Sequence, residues 1–330
     1  MQLKFFVTMN KNIVIKLRAL YSKLFGNGII PPPPREMDKE RIQNLIYDKI
    51  ISGEPFMFAR LGRLEGDVCE NVKYTFHEKK SNLDFIRWRG QPNFLNPYLI
   101  PLFGMNAGFF PSDDVAALEK YYQLMLKCMR EVDILASCCN NEYSFQDEFK
   151  HSIKVDHELA TPLLTDKPWT LALKGKKVLV VHPFINTIRR QYAVIDKVYP
   201  NGAVLPEFDL LTMKAIQTSA GGMSSFKDWF EALKYMENHI DTYDYDVCLL
   251  GCGAYGFPLA AHCKRMGKQA LQLGGVTQLL FGIKGKRWEN GDKYTKDFPY
   301  AKTYYNDYWV RPSGAEIPTN AKKVEDSCYW

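Results

Sequence analysis

A stretch near the carboxyl end of the chain, residues 246–275, constrains the fold more than any other. An apolar run, Val247–Leu250, leads into a glycine-rich turn, a helix-forming segment that ends at Gly267, and a second apolar run that begins at Gln269. Strand, glycine turn, helix and strand within about 30 residues form a βαβ unit, because parallel neighbours need a crossover connection. The stretch therefore predicts an α/β fold: a Rossmann-like, mostly parallel sheet with helices on both faces.

The glycines of the turn have the spacing of a phosphate-binding loop. Gly251, Gly253 and Gly256 fit G-x-G-x-x-G between a strand and a helix. Such a loop needs a sharp turn, close backbone approach to a phosphate, and helix amides that point at the anion. We expect these glycines, with Tyr255 inside the turn, to bind a phosphate-bearing ligand. The alternative is that the glycines only allow tight packing of the strand against the helix.

A second glycine turn and a basic cluster follow closely. Gly274 and Gly275 precede Gln278, and three basic residues come next: Lys284, Lys286 and Arg287. Two such features favour an anionic ligand with more than one phosphate, and a solvated surface loop is the alternative for the basic cluster. A dinucleotide enzyme also requires an acidic residue near the end of the second strand, and none is present around Leu273.

Composition limits the class of protein. The chain has 330 residues, 46% of them hydrophobic and 24% charged, as in ordinary globular proteins. A net charge of +6 suits anionic substrates or a membrane surface, while no basic run is dense enough to predict nucleic-acid binding. No stretch approaches the roughly 18 apolar residues of a membrane span. The eight cysteines include the adjacent pair Cys138 and Cys139 but no C-x-x-C, so we expect reduced thiols and a cytoplasmic location.

The amino-terminal segment differs from the rest of the chain. The spacing predicts a helix over residues 13–25, with a leucine-rich stripe and lysines on its flanks. This basic amphipathic helix can lie on an anionic membrane surface, with residues 11–25 as the contact, or it can dock on the protein's own body. Four prolines, 31–34, follow as an extended linker. The predicted organisation is a helix and linker over 1–34, a catalytic domain over 35–290, and an aromatic tail packed on that domain over 291–330.

Further apolar runs and helical periodicity supply the rest of the sheet and its layers. Short buried strands are predicted at 55–59, 134–137 and 178–181. Helices are predicted over 38–51, over 113–130 with Ser112 as the N-cap, over 185–198, and from a capping box at Ser225 to Ile240. This alternation of strands and helices supports the same α/β architecture.

Charged residues gather where the first predicted strand ends. Open α/β sheets bind ligands at the carboxyl ends of their strands, and Arg60 at such an end can clamp a phosphate. Glu65 and Asp67 can ligate a divalent cation, or Glu65 can act as a base. The alternative is a helix start whose acidic residues complement the helix dipole. His182 also follows a predicted strand, where it can bind phosphate, act as a base or cap the following turn.

One heptapeptide resembles a known family signature. Ala59-Arg60-Leu61-Gly62-Arg63-Leu64-Glu65 is similar to the Ala-Arg-aromatic-Gly-Asp-Gly-Glu signature of the GT-D glycosyltransferase family. Residues 251–288 are similar to the carboxyl-terminal motif of GT-D-like proteins of bacterial surface-polysaccharide clusters. In that family an Asp-x-Glu pair binds a divalent metal at the diphosphate of a nucleotide sugar, so the resemblance implies Mn²⁺ or Mg²⁺. Here Arg63 stands where the Asp belongs. Either Arg63 neutralises the diphosphate directly, or Glu65 and Asp67 hold a weaker ion.

The expected function is transfer of a hexose from a nucleotide sugar of the UDP-sugar type to a glycan or lipid-linked glycan acceptor, in bacterial surface-polysaccharide assembly. We expect Arg60, Gly62, the amides near Gly253 and the basic cluster to stabilise the departing diphosphate, with Glu65 as metal ligand or base. The predicted location is cytoplasmic, with a peripheral position on the inner face of the membrane as the alternative. Competing functions are another Rossmann-type enzyme, methyl-transferring or NAD-dependent, and a non-catalytic nucleotide-sugar-binding subunit.

Overall fold

Seven parallel strands form one sheet in the part of the chain that the structure, a computed structural model, describes. The described residues are 10–28, 30–202, 204–222, 224–289, 303–318, 320–323 and 329–330. The strands are β1 Phe56–Ala59, β2 Ile134–Ser137, β3 Ile153–Asp156, β4 Lys177–His182, β5 Asp209–Lys214, β6 Val247–Leu250 and β7 Gln269–Gln272. Their order is β3-β2-β1-β7-β6-β4-β5, and all neighbours are parallel. The predicted α/β fold is confirmed.

Helices cover both faces of the sheet, as predicted. They are α1 Lys11–Phe25, α2 Lys39–Ile51, α3 Arg63–Val72, α4 Asn82–Ile86, α5 Leu99–Leu102, α6 Val115–Met129, α7 Ile185–Tyr192, α8 Ile195–Val198, α9 Trp229–Ile240, α10 Gly256–Arg265 and α11 Val276–Leu280. On one face α3, α6, α9 and α10 bury apolar side chains in a first core, and on the other α2, α7 and α11 bury theirs in a second. The predicted helix over 185–198 is divided, because the backbone at Val194 leaves helical geometry (φ −128°, ψ 25°).

Three of the helices begin at aspartate N-caps. The side chains of Asp38, Asp114 and Asp228 each accept a hydrogen bond from a backbone N–H in the first turn. These bonds satisfy donors that have no partner within the helix. The predictions of Ser112 and Ser225 as caps were wrong, since in each case an aspartate two or three residues further on provides the cap.

The two edge strands were not predicted, whereas the central strands lie where the apolar runs indicated. β3 and β5 lie at the two edges of the sheet. In β3, Ile153 is exposed and Lys154 is half-buried, and β5 begins and ends with the exposed Asp209 and Lys214. Because an edge strand has a neighbour on one side only, its sequence lacks the continuous apolar run of a central strand.

The helix α1 docks on the body by one side and exposes another. Val14 is buried with Phe85 and Ile86 of α4, and the Arg18 guanidinium lies 4.0 Å from the ring centre of Phe85 and 3.8 Å from that of Trp88. The predicted stripe faces solvent, with side chains between 36% and 66% exposed: Ile13, Leu17, Leu20 and Leu24. Docking therefore uses residues beside the stripe. In the described part of the chain, no helix has the length and apolar character needed to cross a membrane.

The described part of the tail lies against the second core. Trp309 and Trp330 are 3% and 9% exposed, and Arg311 Nη1 donates a hydrogen bond to the backbone O of Trp330 at 2.8 Å. The backbone N–H of Lys284 donates to the O of Val310 at 2.7 Å, which joins the tail to the segment after α11. The predicted domain boundary after residue 290 lies outside the described residues.

Candidate functional site

The two halves of the sheet meet where β1 lies beside β7. Met57 pairs with Ala270 across this boundary. The chain leaves β1 for α3 on one face of the sheet and leaves β7 for α11 on the other. Divergence of this kind opens a crevice beyond the strand ends, which is where open α/β sheets bind their ligands. Arg60 and Gly274 lie on the two sides of this crevice.

Arg60 is held at the crevice by β7. Its backbone N–H donates to Gln272 Oε1 at 2.8 Å, and its guanidinium lies beside Gly274, where a Cβ would be 3.2 Å from Nη2. Gly274 has φ +57°, so a side chain there would also strain the backbone. The buried Nε of Arg60 has no hydrogen-bond partner in the described part of the chain. A guanidinium with a buried, unused N–H donor is suited to binding an anion.

The charge of Arg60 is maintained by its surroundings. Burial disfavours the charged guanidinium, but neighbouring ionisable groups, first Cys138 and then Tyr329, outweigh that effect and raise the pKa of Arg60 above its ordinary value. A positive charge in a partly enclosed crevice attracts anions more strongly than one in water.

The start of α3 is built around Gly62 and Glu65. Gly62 is the N-cap, and the Glu65 carboxylate folds back against it, so that a Cβ at Gly62 would lie 2.0 Å from Glu65 Oε2. An acidic residue three positions after the cap complements the helix dipole, which is the structural alternative stated for Glu65. Arg63 is exposed at the first helical position. The structure thus places Arg60, Gly62, Arg63 and Glu65 together at one strand end.

Asp67 belongs to a different side of α3 from Glu65. Its Oδ1 accepts a hydrogen bond from Asn141 Nδ2 at 3.0 Å, and burial raises its pKa above the ordinary value. Residues two positions apart on a helix do not face each other. Among the described residues, no group of three or more His, Cys, Asp and Glu is placed to hold a metal ion. Glu65 and Asp67 therefore point to different sides of α3, and the cation stays a prediction.

The glycines of the G-x-G-x-x-G turn serve packing as well as an open turn. A Cβ at Gly251 would lie 2.6 Å from His182 Cδ2, and one at Gly256 would lie 3.0 Å from Gln272 Cγ. Gly253 has φ +57° and is exposed, so its backbone can be reached from solvent. Gly251 and Gly256 are thus required by close packing, the alternative stated for these glycines. Gly253 has the conformation and exposure that a phosphate contact needs.

Two other predicted residues of this region are buried. Tyr255 is 2% exposed, and its ring stacks on Trp229 with centres 4.9 Å apart, so its side chain belongs to the first core. His182 is 3% exposed, and its Nδ1 accepts a hydrogen bond from the backbone N–H of Phe184 at 3.0 Å. Burial lowers the pKa of His182 to about 3, so the ring is neutral. This geometry favours the turn-capping alternative over a base or phosphate ligand.

The basic cluster after α11 is distributed over three places. Arg287 Nη1 donates to the Tyr329 hydroxyl at 3.2 Å, Lys284 points its Nζ towards the Tyr305 ring at 5.3 Å, and Lys286 is exposed. Tyr329 in turn lies against the second glycine turn, where a Cβ at Gly275 would be 2.9 Å from Tyr329 Cε1. Arg287 is therefore the member of the cluster that the structure brings towards the crevice.

Gln278 has a structural role in the same region. Its Nε2 lies within hydrogen-bond distance of three backbone oxygens, those of Ile283, Lys284 and Tyr329, at 3.2–3.3 Å. The side chain ties the segment after α11 to the end of the tail. Its amide nitrogen is therefore used in contacts within the protein.

Two adjacent cysteines complete the crevice, and the sequence did not predict a role for them. Cys138 and Cys139 follow β2, with their sulfurs 3.3 Å apart and Cys138 Sγ 3.7 Å from the O of Leu61. The hydrogen bond from the Cys139 thiol, and then the charge of Arg60, lower the pKa of Cys138 against the effect of burial. The available signal was the position of the pair directly after a strand that ends beside β1.

Comparisons of the chain with family models, with curated proteins and with solved structures give no match. A function has to be inferred from the side chains at the crevice and from the chemistry that they permit.

Proposed function

We propose that the protein is a glycosyltransferase that takes a sugar from a nucleotide-sugar donor, with the donor diphosphate bound in the crevice between β1 and β7. The observation that carries the proposal is the buried Nε of the half-buried Arg60, which has no hydrogen-bond partner in the described residues, in a guanidinium that lies beside the left-handed Gly274. A diphosphate supplies the oxygens that such a donor requires.

The chemistry assigned to the chain is stabilisation of a leaving group. The bond between the anomeric carbon and the diphosphate oxygen breaks with its electron pair on the diphosphate, and an acceptor hydroxyl bonds to that carbon while it loses its proton. Arg60, with Arg63 at the helix start, offsets the charge that develops on the leaving diphosphate. Glu65, the carboxylate beside them, is the proposed acceptor of the proton. Guanidinium groups can supply the positive charge that the resemblance to GT-D proteins assigns to a cation.

The exposed face of α1 supports the proposed acceptor and location. A helix that is docked on the body and exposes Leu17, Leu20 and Leu24 suits a protein that lies on an anionic membrane from the cytoplasmic side. The exposed lysines of α1 add attraction to anionic headgroups, and α1 contains no acidic residue. A lipid-linked glycan in bacterial surface-polysaccharide assembly is the acceptor class that this position favours.

Ligand-induced stabilisation tests the proposal. UDP and UDP-sugars should raise the melting temperature, and Arg60→Gln should weaken their binding by about 10- to 100-fold, the cost of a lost charged hydrogen bond. Arg41→Gln, on the exposed surface of α2, is the matched control and should bind as the parent does. Stabilisation by NAD or S-adenosylmethionine instead of UDP would assign another Rossmann-type enzyme. Binding of a UDP-sugar without release of the sugar would assign a non-catalytic subunit.

A further inference from the structure

A cavity of about 550 Å³, away from the crevice, opens beside the carboxyl-terminal half of α3. It lies between the end of that helix and the segment that connects β2 to β3. Its charged lining residues are three bases and three acids: Lys73, Lys80, Arg89, Glu70, Glu78 and Asp147. Tyr74, Tyr143 and Ser144 add hydroxyl groups. The cavity is therefore polar but nearly balanced in charge.

A directed chain of hydrogen bonds forms the floor of this cavity. Ser144 Oγ donates to Glu70 Oε1 at 2.5 Å, so the single hydroxyl proton of Ser144 is used there. Tyr74 OH lies 2.8 Å from Ser144 Oγ and is the donor in that pair when Glu70 is ionised, while Lys80 Nζ donates to Tyr74 OH at 3.1 Å. The chain runs from an ammonium group to a carboxylate, and aligned bonds of this kind strengthen one another.

The local backbone is shaped to bring these groups together. The helix α3 continues into a π-helix, Lys73–His77, a rare form that is frequent at functional sites. Gly90 has φ +145°, and a Cβ there would lie 3.2 Å from both Glu70 Oε1 and Lys80 Nζ. A glycine is thus required for the carboxylate and the ammonium group to approach each other.

The cost of burying Glu70 also indicates a functional role. Glu70 is 3% exposed, and burial raises its pKa to about 7. An apolar residue would stabilise the fold more than a carboxylate whose ionisation is opposed by burial. Perturbed ionisable groups in a cleft are characteristic of binding and catalytic sites.

We propose that this cavity binds a neutral, hydroxyl-rich carbohydrate, which is the acceptor if the proposed function holds. The balanced charges disfavour a strongly anionic ligand, while carboxylate, tyrosine and serine groups can exchange hydrogen bonds with sugar hydroxyls. The helix α3 connects the two sites: Glu70 is eight residues beyond Gly62, about 12 Å along the helix. A bound glycan chain can therefore extend towards a donor held at Arg60.

Binding of immobilised oligosaccharides, both neutral and anionic, tests this inference with the full-length protein. We expect binding to neutral oligosaccharides, weakened about 10- to 100-fold by Glu70→Gln and by Ser144→Ala, because each removes a hydrogen bond to a charged group. Glu40→Gln, an exposed carboxylate at the start of α2, should bind as the parent does. Melting curves show whether each variant is folded.

The outcomes separate this inference from the proposed function. No neutral binding, binding of anionic glycans only, or unchanged binding by both folded variants would overturn the carbohydrate site. UDP binding, measured on the same samples, reports on the crevice independently. Neutral glycan binding without UDP binding would preserve this site and overturn the donor site. Release of the sugar from a UDP-sugar to water, without glycan binding, would preserve the donor site and overturn the carbohydrate site.

Discussion

The position of Glu65 suits two different roles. Its carboxylate lies against the N-cap Gly62, where it complements the dipole of α3, and it also lies at the strand end that holds Arg60. The Glu65→Gln variant keeps the shape and removes the charge. We expect sugar transfer to fall about 100-fold, as for loss of a general base, while the free energy of unfolding changes by only about 0.3–1 kcal/mol. Transfer near the parental rate would assign the carboxylate to the helix start alone.

The titration of Glu70 makes the stability of the protein depend on pH, and a Glu70 variant measures this contribution. Its pKa is raised from 4.5 to about 7 in the folded state, so the folded protein binds more protons than the unfolded chain between these values. Stability from this group is fully present below pH 4.5 and is lost as the pH rises through 7. Glu70→Gln should therefore be more stable than the parent at pH 8, by up to about 3 kcal/mol, with that advantage absent at pH 4.5. Thermal unfolding at the two pH values measures this difference, and Glu40→Gln should show none. An equal effect of Glu70→Gln at both would contradict the assignment.

Cys138 offers a chemical probe of the crevice. Its lowered pKa and partial exposure predict faster alkylation by iodoacetamide than at the buried Cys69, whose pKa is raised by burial. Bound UDP should slow the reaction, because the thiol lies close to Arg60. Mass spectrometry of the digested protein follows both sites. Equal protection of Cys138 by UDP and by adenosine would show that the crevice does not select a diphosphate.

The sequence indicated one of the two proposed sites and missed the other for a physical reason. Arg60 could be predicted as a site residue because it directly follows an apolar run, and the carboxyl ends of parallel strands share one edge of the sheet. Glu70 resembles any charged residue of an amphipathic helix. Its burial depends on Ser144, 74 residues away, and on the conformation of Gly90. Contacts between distant segments leave no local pattern in the chain.

Among the strands, local sequence patterns predicted the central ones but not those at the edges. The runs Val247–Leu250 and Ile134–Ser137 are buried throughout and could be recognised from composition. The edge strands β3 and β5 could not, since each begins exposed and only two of its residues are fully buried. Helix ends were predicted to within a few residues, but which polar residue supplied each cap depended on local backbone geometry. Asp114, for example, accepts from two N–H groups.

The helix α1 predicts a membrane interaction that can be measured. Its exposed leucines form a face of their own, because docking uses Val14 and Arg18. A triple variant, Leu17→Ser, Leu20→Ser and Leu24→Ser, should lose at least about 10-fold in binding to anionic vesicles, since each leucine buries apolar area in the interface. Binding of the parent should also weaken as salt increases, because lysines contribute.

A matched surface change controls for general hydrophobicity. Ile51 at the end of α2 is 54% exposed, and Ile51→Ser should leave vesicle binding unchanged. Flotation with vesicles measures all the variants at equal protein concentration. If the triple variant floats as well as the parent, α1 does not contact the lipid and its stripe has another partner.

The whole molecule joins segments that are far apart in sequence. Arg60 and Gln272, which hydrogen-bond at the crevice, are 212 residues apart. The order of the strands places β1 beside β7, and no local pattern in the chain specifies that pairing. The tail then returns to the same place, since Tyr329 lies against Gly275 and bonds to Arg287. The proposed donor site therefore draws on both the first strand and Tyr329.

The contacts of Tyr329 with Gly275 and Arg287 predict that the end of the tail supports nucleotide binding. Tyr329→Ala removes the ring that covers Gly275 and the hydroxyl that accepts from Arg287, so UDP affinity should fall about 10-fold and the free energy of unfolding by about 1–2 kcal/mol. Tyr329→Phe retains the ring and should lose affinity with little loss of stability. Titration calorimetry and thermal unfolding separate the two effects. Tyr308→Ala, an exposed tyrosine of the same tail, is the control. Parental UDP affinity in Tyr329→Ala would restrict the donor site to Arg60 and the glycine turns, because the tail would then contribute to packing only.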